Sequence, residues 1–226
     1  TGLYNTAIGY EAGNDLTSGS YNFFGGAQAG ANVTTATRNT ALGYSALGTG
    51  VLTGSYNTAV GYQAGQDLTS GTYNFFGGYA AGANVTTADY TIAIGSQAIG
   101  LGVTTGDHNI ALGRFAGYDL TSGHNNFFAG FYAGFNVTTG IYNISQGYQA
   151  GLDATTGSYN IFQGYRAGYN ATTVSNTIAI GRSAIGLGVL TGVYNTAIGY
   201  QAGYDLTSGT YNNFIGYQAG ANVTTG

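Results

Sequence analysis

The chain has 226 residues, 42 of them Gly and 21 Tyr, with no Pro, Cys, Met or Trp, and a net charge of −4 from 4 basic and 8 acidic side chains. Without Cys there are no disulfides or thiolate metal ligands, the lack of Pro and of a three-residue Gly period rules out collagen, and 43% hydrophobic content is too apolar for a disordered polymer. All four cations are Arg, too few to neutralise a row of phosphates, so nucleic acid is not an expected partner; no apolar run is long enough to span a bilayer.

The chain is one repeat written thirteen times. The anchor is the Asn of a Tyr-Asn pair, and it recurs as Asn5, Asn22, Asn39, Asn57, Asn74, Thr91, Asn109, Asn126, Asn143, Asn160, Thr177, Asn195 and Asn212, in steps of 17 or 18 residues. Four residues past every anchor (position +4) stands Gly, from Gly9 to Gly216, and at +7 stands Ala, from Ala12 to Ala219. Three unit types alternate. The first carries Asp at +10 (Asp15, Asp67, Asp119, Asp153, Asp205). The second carries Phe at +2 (Phe24, Phe76, Phe128, Phe162, Phe214) and Asn at +10 (Asn32, Asn84, Asn136, Asn170, Asn222). The third is the 18-residue type, with its extra residue in a Gly-rich turn such as Gly100-Leu-Gly102. The first two types repeat once more than the rhythm requires, so the pair from Asn143 to Val174 reads as an insertion.

A repeat this short cannot hold a helical hairpin, and its Gly, Thr, Asn, Tyr and Ile favour strands and turns over helix. The pattern predicts an all-β fold, a parallel β-solenoid or β-roll of about thirteen coils in a single domain over 1–226, with identical residues stacked in columns at roughly 4.8 Å per coil. Gly at +4 is expected to need positive φ or close backbone approach, and Ala at +7 to point inward. The apolar residues at +3 (Ile8, Leu42, Val60, Ile94, Leu112, Ile180, Ile198) are expected to form one core column, and those at +11 (Leu16, Val33, Leu68, Val85, Leu120, Val137, Leu206, Val223) a second. The anchor Asn residues can bond from coil to coil as amide ladders do. Both ends fall at the same phase of the repeat, so an uncapped segment of a longer fibre, or a unit that stacks end to end, is expected.

Asn5-Thr-Ala-Ile-Gly9, Asn57-Thr-Ala-Val-Gly61, Asn195-Thr-Ala-Ile-Gly199 and Ala93-Ile-Gly-Ser-Gln-Ala-Ile-Gly100 resemble the YadA-like head repeats of trimeric autotransporter adhesins, and related repeats of phage tail fibres and surface fibres. The coil here is longer than that family's. The resemblance implies a left-handed parallel β-roll, a homotrimer, and a role in attachment at a cell surface or on a virion.

No cluster of catalytic types is present, and the chain reads as non-enzymatic, with no catalytic, cofactor-binding or metal-binding residue assigned. Asp107 and His124 share one phase of neighbouring coils and read as a surface pair. The Asp column lacks the nonapeptide spacing of calcium-binding repeats. The acceptor-like triplets beginning at Asn32, Asn84, Asn136, Asn143, Asn170 and Asn222 read as part of the turn itself. Thr17, Thr34, Thr69, Thr86, Thr121, Thr138, Thr155, Thr172, Thr207 and Thr224 share a phase, the arrangement of ice-ordering surfaces. The strongest surface signal is Tyr, before the anchor (Tyr4, Tyr21, Tyr56, Tyr73, Tyr90, Tyr142, Tyr159, Tyr194, Tyr211) and after the Gly column (Tyr10, Tyr44, Tyr62, Tyr79, Tyr148, Tyr165, Tyr200, Tyr217). A bore lined by Ala cannot hold so many rings, so they are expected outside, as an association surface. The reading is an extracellular structural fibre or filament segment whose partner is itself, as a trimer or filament. The alternative is an adhesin or phage tail-fibre shaft that binds surface glycans or a host receptor, with ice binding a weaker third.

Overall fold

The computed structural model describes residues 2–226 and is an all-β parallel solenoid. Each coil contributes one three-residue strand, and none of the described residues is helical. The chain divides into two compact units, one ending at Leu112 and one beginning at Gly113. The first holds β1 (Thr6–Ile8), β2 (Phe23–Gly25), β3 (Thr40–Leu42), β4 (Thr58–Val60), β5 (Phe75–Gly77), β6 (Ile92–Ile94) and β7 (Ile110–Leu112). The second holds β8 (Phe127–Ala129), β9 (Ile144–Gln146), β10 (Ile161–Gln163), β11 (Ile178–Ile180), β12 (Thr196–Ile198) and β13 (Asn213–Ile215). Within each unit successive strands pair in parallel at one repeat of offset, as in Thr6↔Phe23 and Ile161↔Ile178. Outside the strands the ladder continues through turns, for example from the Thr69 N–H to the Thr86 carbonyl at 2.8 Å.

Strand geometry settles which residues fill the bore. Alternate side chains of a strand point to opposite faces, and the central residue, at +2, points in. Ala93 is 0% exposed and Ile94, beside it, is 43% exposed. The apolar column expected inside at +3 is therefore an outer one; Ile8, Leu42, Val60 and Ile198 are also exposed. With Phe at +2 pointing inward, its neighbour at +3 must point outward. The +11 column is interior as expected, with Val33, Leu68, Val85, Leu120, Val137 and Leu206 fully buried. So is Ala at +7 in every coil between the first and the last, from Ala29 to Ala202.

The three unit types are three ways to fill one bore. A Phe coil places its ring where position +8 must be bare; a Cβ on Gly30 would lie 2.5 Å from Phe24. An Asp coil has Ala at +2, or Ser in the coil at Asn143, and leans on the next coil's Phe, since a Cβ on Gly65 would meet Phe76 at 2.5 Å. The 18-residue coil has Ala at +2 and fills the bore from +8 instead, with buried Leu47, Ile99 and Ile185 at φ 49, 47 and 48°. Such φ values are unfavourable for branched side chains, so burial must outweigh a backbone cost of roughly 1–2 kcal/mol at each. In the inserted pair the filling changes again. Where the two other Phe coils that precede an 18-residue coil have Val at +11 and Ala at +14 (Val33 with Ala36, Val85 with Ala88), the coil at Asn160 has Ala171 and Val174, all of them buried. The exchange conserves volume, the kind of swap that cores tolerate best.

Two features hold coil to coil. The anchor Asn is buried, and its Oδ1 accepts the N–H of the next anchor at 2.8–3.1 Å, as in Asn22 to Asn5, Asn57 to Asn39 and Asn160 to Asn143. Its Nδ2 donates to a carbonyl near the end of its own coil, as Asn57 does to Gly71 at 2.8 Å, which closes the loop. Thr91 and Thr177, the two substitutes, still donate their N–H to Asn74 and Asn160. Gly at +4 has φ between 124 and 139° in all thirteen coils, and a Cβ on Gly61 would lie 2.3 Å from the Gly78 carbonyl oxygen.

Ser145 occupies +2 between Phe128 and Phe162, and its Oγ is buried with no hydrogen-bond partner. Ser145→Ala removes that orphan and is expected to raise stability by about 1 kcal/mol. Asn143→Ala strands the Asn160 N–H and the Gly157 carbonyl in a dry site and is expected to lower stability by roughly 2–4 kcal/mol. Urea unfolding with an unchanged slope measures both.

Candidate functional site

The outer face of the strands is the most distinctive surface. Positions −1, +1, +3 and +5 point outward together, and none of the eight acidic residues falls on any of them, whereas Arg38, Arg114 and Arg182 do. The central band holds exposed Phe23, Leu42, Val60, Phe75 and Ile94 in the first unit and Ile144, Ile198 and Ile215 in the second. Aromatic columns border it.

Those columns are face-to-face stacks. In the first unit position −1 reads Tyr4, Tyr21, Arg38, Tyr56, Tyr73, Tyr90, His108. Ring centroids are 4.9 Å apart for Tyr4–Tyr21, 4.8 Å for Tyr56–Tyr73, 5.1 Å for Tyr73–Tyr90 and 5.0 Å for Tyr90–His108. Arg38 completes the run: its guanidinium lies 5.3 Å from the Tyr21 ring and 5.2 Å from the Tyr56 ring, and it donates to the Tyr56 hydroxyl at 2.6 Å. In the second unit the continuous column is at +5: Arg114, Phe131, Tyr148, Tyr165, Arg182, Tyr200, Tyr217. Here Arg182 lies 5.6 Å from Tyr165 and 5.7 Å from Tyr200, bridging two stacked pairs. Sequence reasoning counted these arginines as sparse charge. Their phase, which puts Arg where the flanking coils have Tyr, was the missed signal.

The backbone creates these stacks. Every residue at −1 has φ between 54 and 63°, and every residue at +6 has φ between 49 and 59°. Non-glycine residues adopt this conformation at a cost of roughly 1–2 kcal/mol, which at −1, where most residues are Tyr, ring pairs worth roughly 0.5–1.5 kcal/mol each offset. Because the rings cover one another's faces, the columns present edges and hydroxyl groups outward. A sugar that stacks on an aromatic face finds few open faces along them.

The other residues singled out from sequence have structural roles. The Thr hydroxyls at +12 donate to the next coil's backbone, as Thr69 does to Thr86 at 3.0 Å and Thr207 to Thr224 at 2.8 Å, so their donors are not free to order water. The amides of Asn32, Asn84 and Asn170 bond carbonyls of the following coil (Gly48, Gly100, Leu187), and Asn143 is buried. Asp107 accepts the Asp89 N–H at 2.8 Å, and Asp89 in turn accepts the Thr72 N–H, part of a column at −2 whose side-chain oxygens cap the preceding coil. His108 belongs to the Tyr stack, not to a pair with a carboxylate. His124, in the second unit, has a buried Nδ1 without a partner and tilts against Tyr142 at 5.9 Å. Among the described residues no three His, Cys, Asp or Glu side chains gather as a metal site. Phe115, Tyr118, Phe131, Tyr132 and Phe135 form an aromatic corner, in which Phe115 and Tyr132 take the +6 position that is polar in most coils.

Family models, curated proteins and solved structures were each compared with the chain, and none matches it.

Burial pushes the Asp119 carboxyl up from its ordinary value. A carboxyl raised by folding contributes stability below its unfolded value and loses it as pH rises through the folded value, so ionised Asp119 is destabilising at neutral pH. Asp119→Asn is expected to raise stability at neutral pH and to lose that advantage in acid, where both side chains are neutral. Urea midpoints at the two pH values measure the difference; an equal gain at both would show that ionisation is not its source.

Proposed function

We propose that the chain is a segment of an extracellular structural fibre, non-enzymatic, in which copies of the chain pack side by side through the outer strand face. The observation that carries this reading is the combination of an exposed aliphatic band with stacked Tyr borders and no acidic residue on the face. Contiguous apolar surface of this kind marks association sites, and Tyr and Arg are the residues most enriched at interface centres. Rings already stacked along the columns have little side-chain entropy left to lose, which favours packing edge-on against a second copy. The YadA-like motifs support three chains, and with them the second reading, a trimeric adhesin or tail-fibre shaft at a cell or virion surface. The engaged Thr hydroxyls weigh against ice binding.

Native mass by light scattering, with electron microscopy of the same sample, tests the proposal. Val60→Lys with Ile94→Lys places two charges in the band. The unaltered chain is expected at about three times 23.0 kDa or as filaments, and the double variant as a 23.0 kDa monomer with unchanged circular dichroism. A filament favours the structural fibre, a discrete trimer the shaft. An unaltered chain that is already a 23.0 kDa monomer would overturn both.

A further inference from the structure

The second unit carries a cleft of about 260 Å³ at the +5 edge of the outer face. It sits over the 18-residue coil that begins at Thr177. Position +9 of that coil is Gly186, and the same position on the coils either side is Tyr169 and Tyr204; all three line the cleft. Tyr169 and Tyr204 are thus two coil steps apart, roughly 9.6 Å, with no side chain at +9 of the coil between them. The columns elsewhere space rings at one coil step, so the gap has the thickness of one ring.

Two cations border this slot. The Arg166 guanidinium lies 5.4 Å from the Tyr165 ring and 5.1 Å from the Tyr169 ring, and the Arg182 guanidinium lies 5.6 Å from the Tyr165 ring. Arg166 is aimed by its Nε, which donates to Gln149 Oε1 at 2.8 Å and leaves the two terminal nitrogens free to bond a ligand. The Arg182 guanidinium makes no hydrogen bond or ion pair among the described residues, and no carboxylate lines the cleft. The remaining lining is amide, hydroxyl and one aliphatic side chain: Asn170, Ser183, Gln201 and Leu187. The repeat supplies its own comparison. The equivalent turn at Gly48 is flanked at +9 by Ala31 and Gln66, and Gln28 and Tyr44 stand where Arg166 and Arg182 do, so the same backbone there carries neither the ring walls nor the cations.

We infer that this cleft binds a single acidic sugar residue, a pyranose bearing a carboxylate or a sulfate ester. The Tyr walls accept the ring, the two guanidinium forks take the anion in the bidentate geometry that suits planar carboxylate and sulfate oxygens, and the amides and hydroxyls meet the sugar hydroxyls. Tyr165 and Arg182 belong to the +5 border of the strand face, whereas Arg166 and Tyr204, at +6 and +9, lie off it, so the cleft sits at the edge of that face.

The test titrates the full chain, followed by intrinsic Tyr fluorescence and calorimetry, with trigalacturonate, a sulfated disaccharide, neutral maltotriose and inorganic sulfate. Binding of one or both acidic sugars, absent for maltotriose and weakened by added salt, is expected. Arg166→Gln and Tyr204→Ala should each weaken it by roughly tenfold or more, and Arg38→Gln, in the other unit, should leave it unchanged. Three results would overturn the inference: equal affinity for maltotriose, undiminished binding by a folded Arg166→Gln, or inorganic sulfate binding as tightly as the sugars. The comparison of acidic with neutral sugar on the unaltered chain decides the matter even if a variant fails to fold.

Discussion

Everything in this molecule is set by the spacing of parallel backbone from one coil to the next. At roughly 4.8 Å, each side chain sits directly over its counterpart one repeat away, so every column must be made of groups that tolerate their own likeness at that distance. Amides do, because a carboxamide is both donor and acceptor, and the anchor Asn forms a buried chain of such bonds. Aromatic rings do, because the step is close to the thickness of a ring, and the Tyr pairs sit 4.8–5.3 Å apart with interplanar angles of 18° or less. Like charges do not. The Asp at +10 is followed by Asn at the same position, and Asn136 donates to Asp153 across one such step. Where two acids do follow each other, Asp89 and Asp107, each carboxylate is turned onto a backbone N–H.

The same spacing explains why the chain accepts so much unfavourable backbone. Positive φ at −1 and +6 turns the coil sharply and swings those side chains into line with their neighbours. At −1 the stacks compensate locally, and arginine serves in the columns because a guanidinium is flat and can lie between two rings. Arg38 and Arg182 are therefore structural members of the columns as much as they are charges.

Much of this was legible in the sequence because a repeat reports phase directly. The coil length, the turn glycines, the Ala and +11 interior columns, the Asn ladder and the outward Tyr rows all follow from residue type and position. The strand parity did not. Ile8, Leu42 and Val60 look like a core column, and only the inward Phe at +2 reveals that +3 must face out. A three-residue strand is too short for hydrophobic alternation to announce itself, and here both faces are apolar. The cleft was invisible for a different reason. It depends on an absent side chain, Gly186 between two tyrosines, and on two arginines from adjacent coils whose proximity appears only after the coils are stacked.

The exchange of Val and Ala between Val33 with Ala36 and Ala171 with Val174 bears on how such a chain can change over generations. A deletion of a few residues would rotate every later side chain onto the wrong wall, whereas gain or loss of complete coils leaves all columns in phase. Near-identical stretches such as Asn5–Tyr10 and Asn195–Tyr200 give recombination the homology it needs to do this. Only the bore resists, since a new neighbour can bring a ring where space for one is lacking. Small reciprocal changes in interior volume are then the trace that a duplication leaves behind, and length becomes the trait that varies most readily while the cross-section stays fixed.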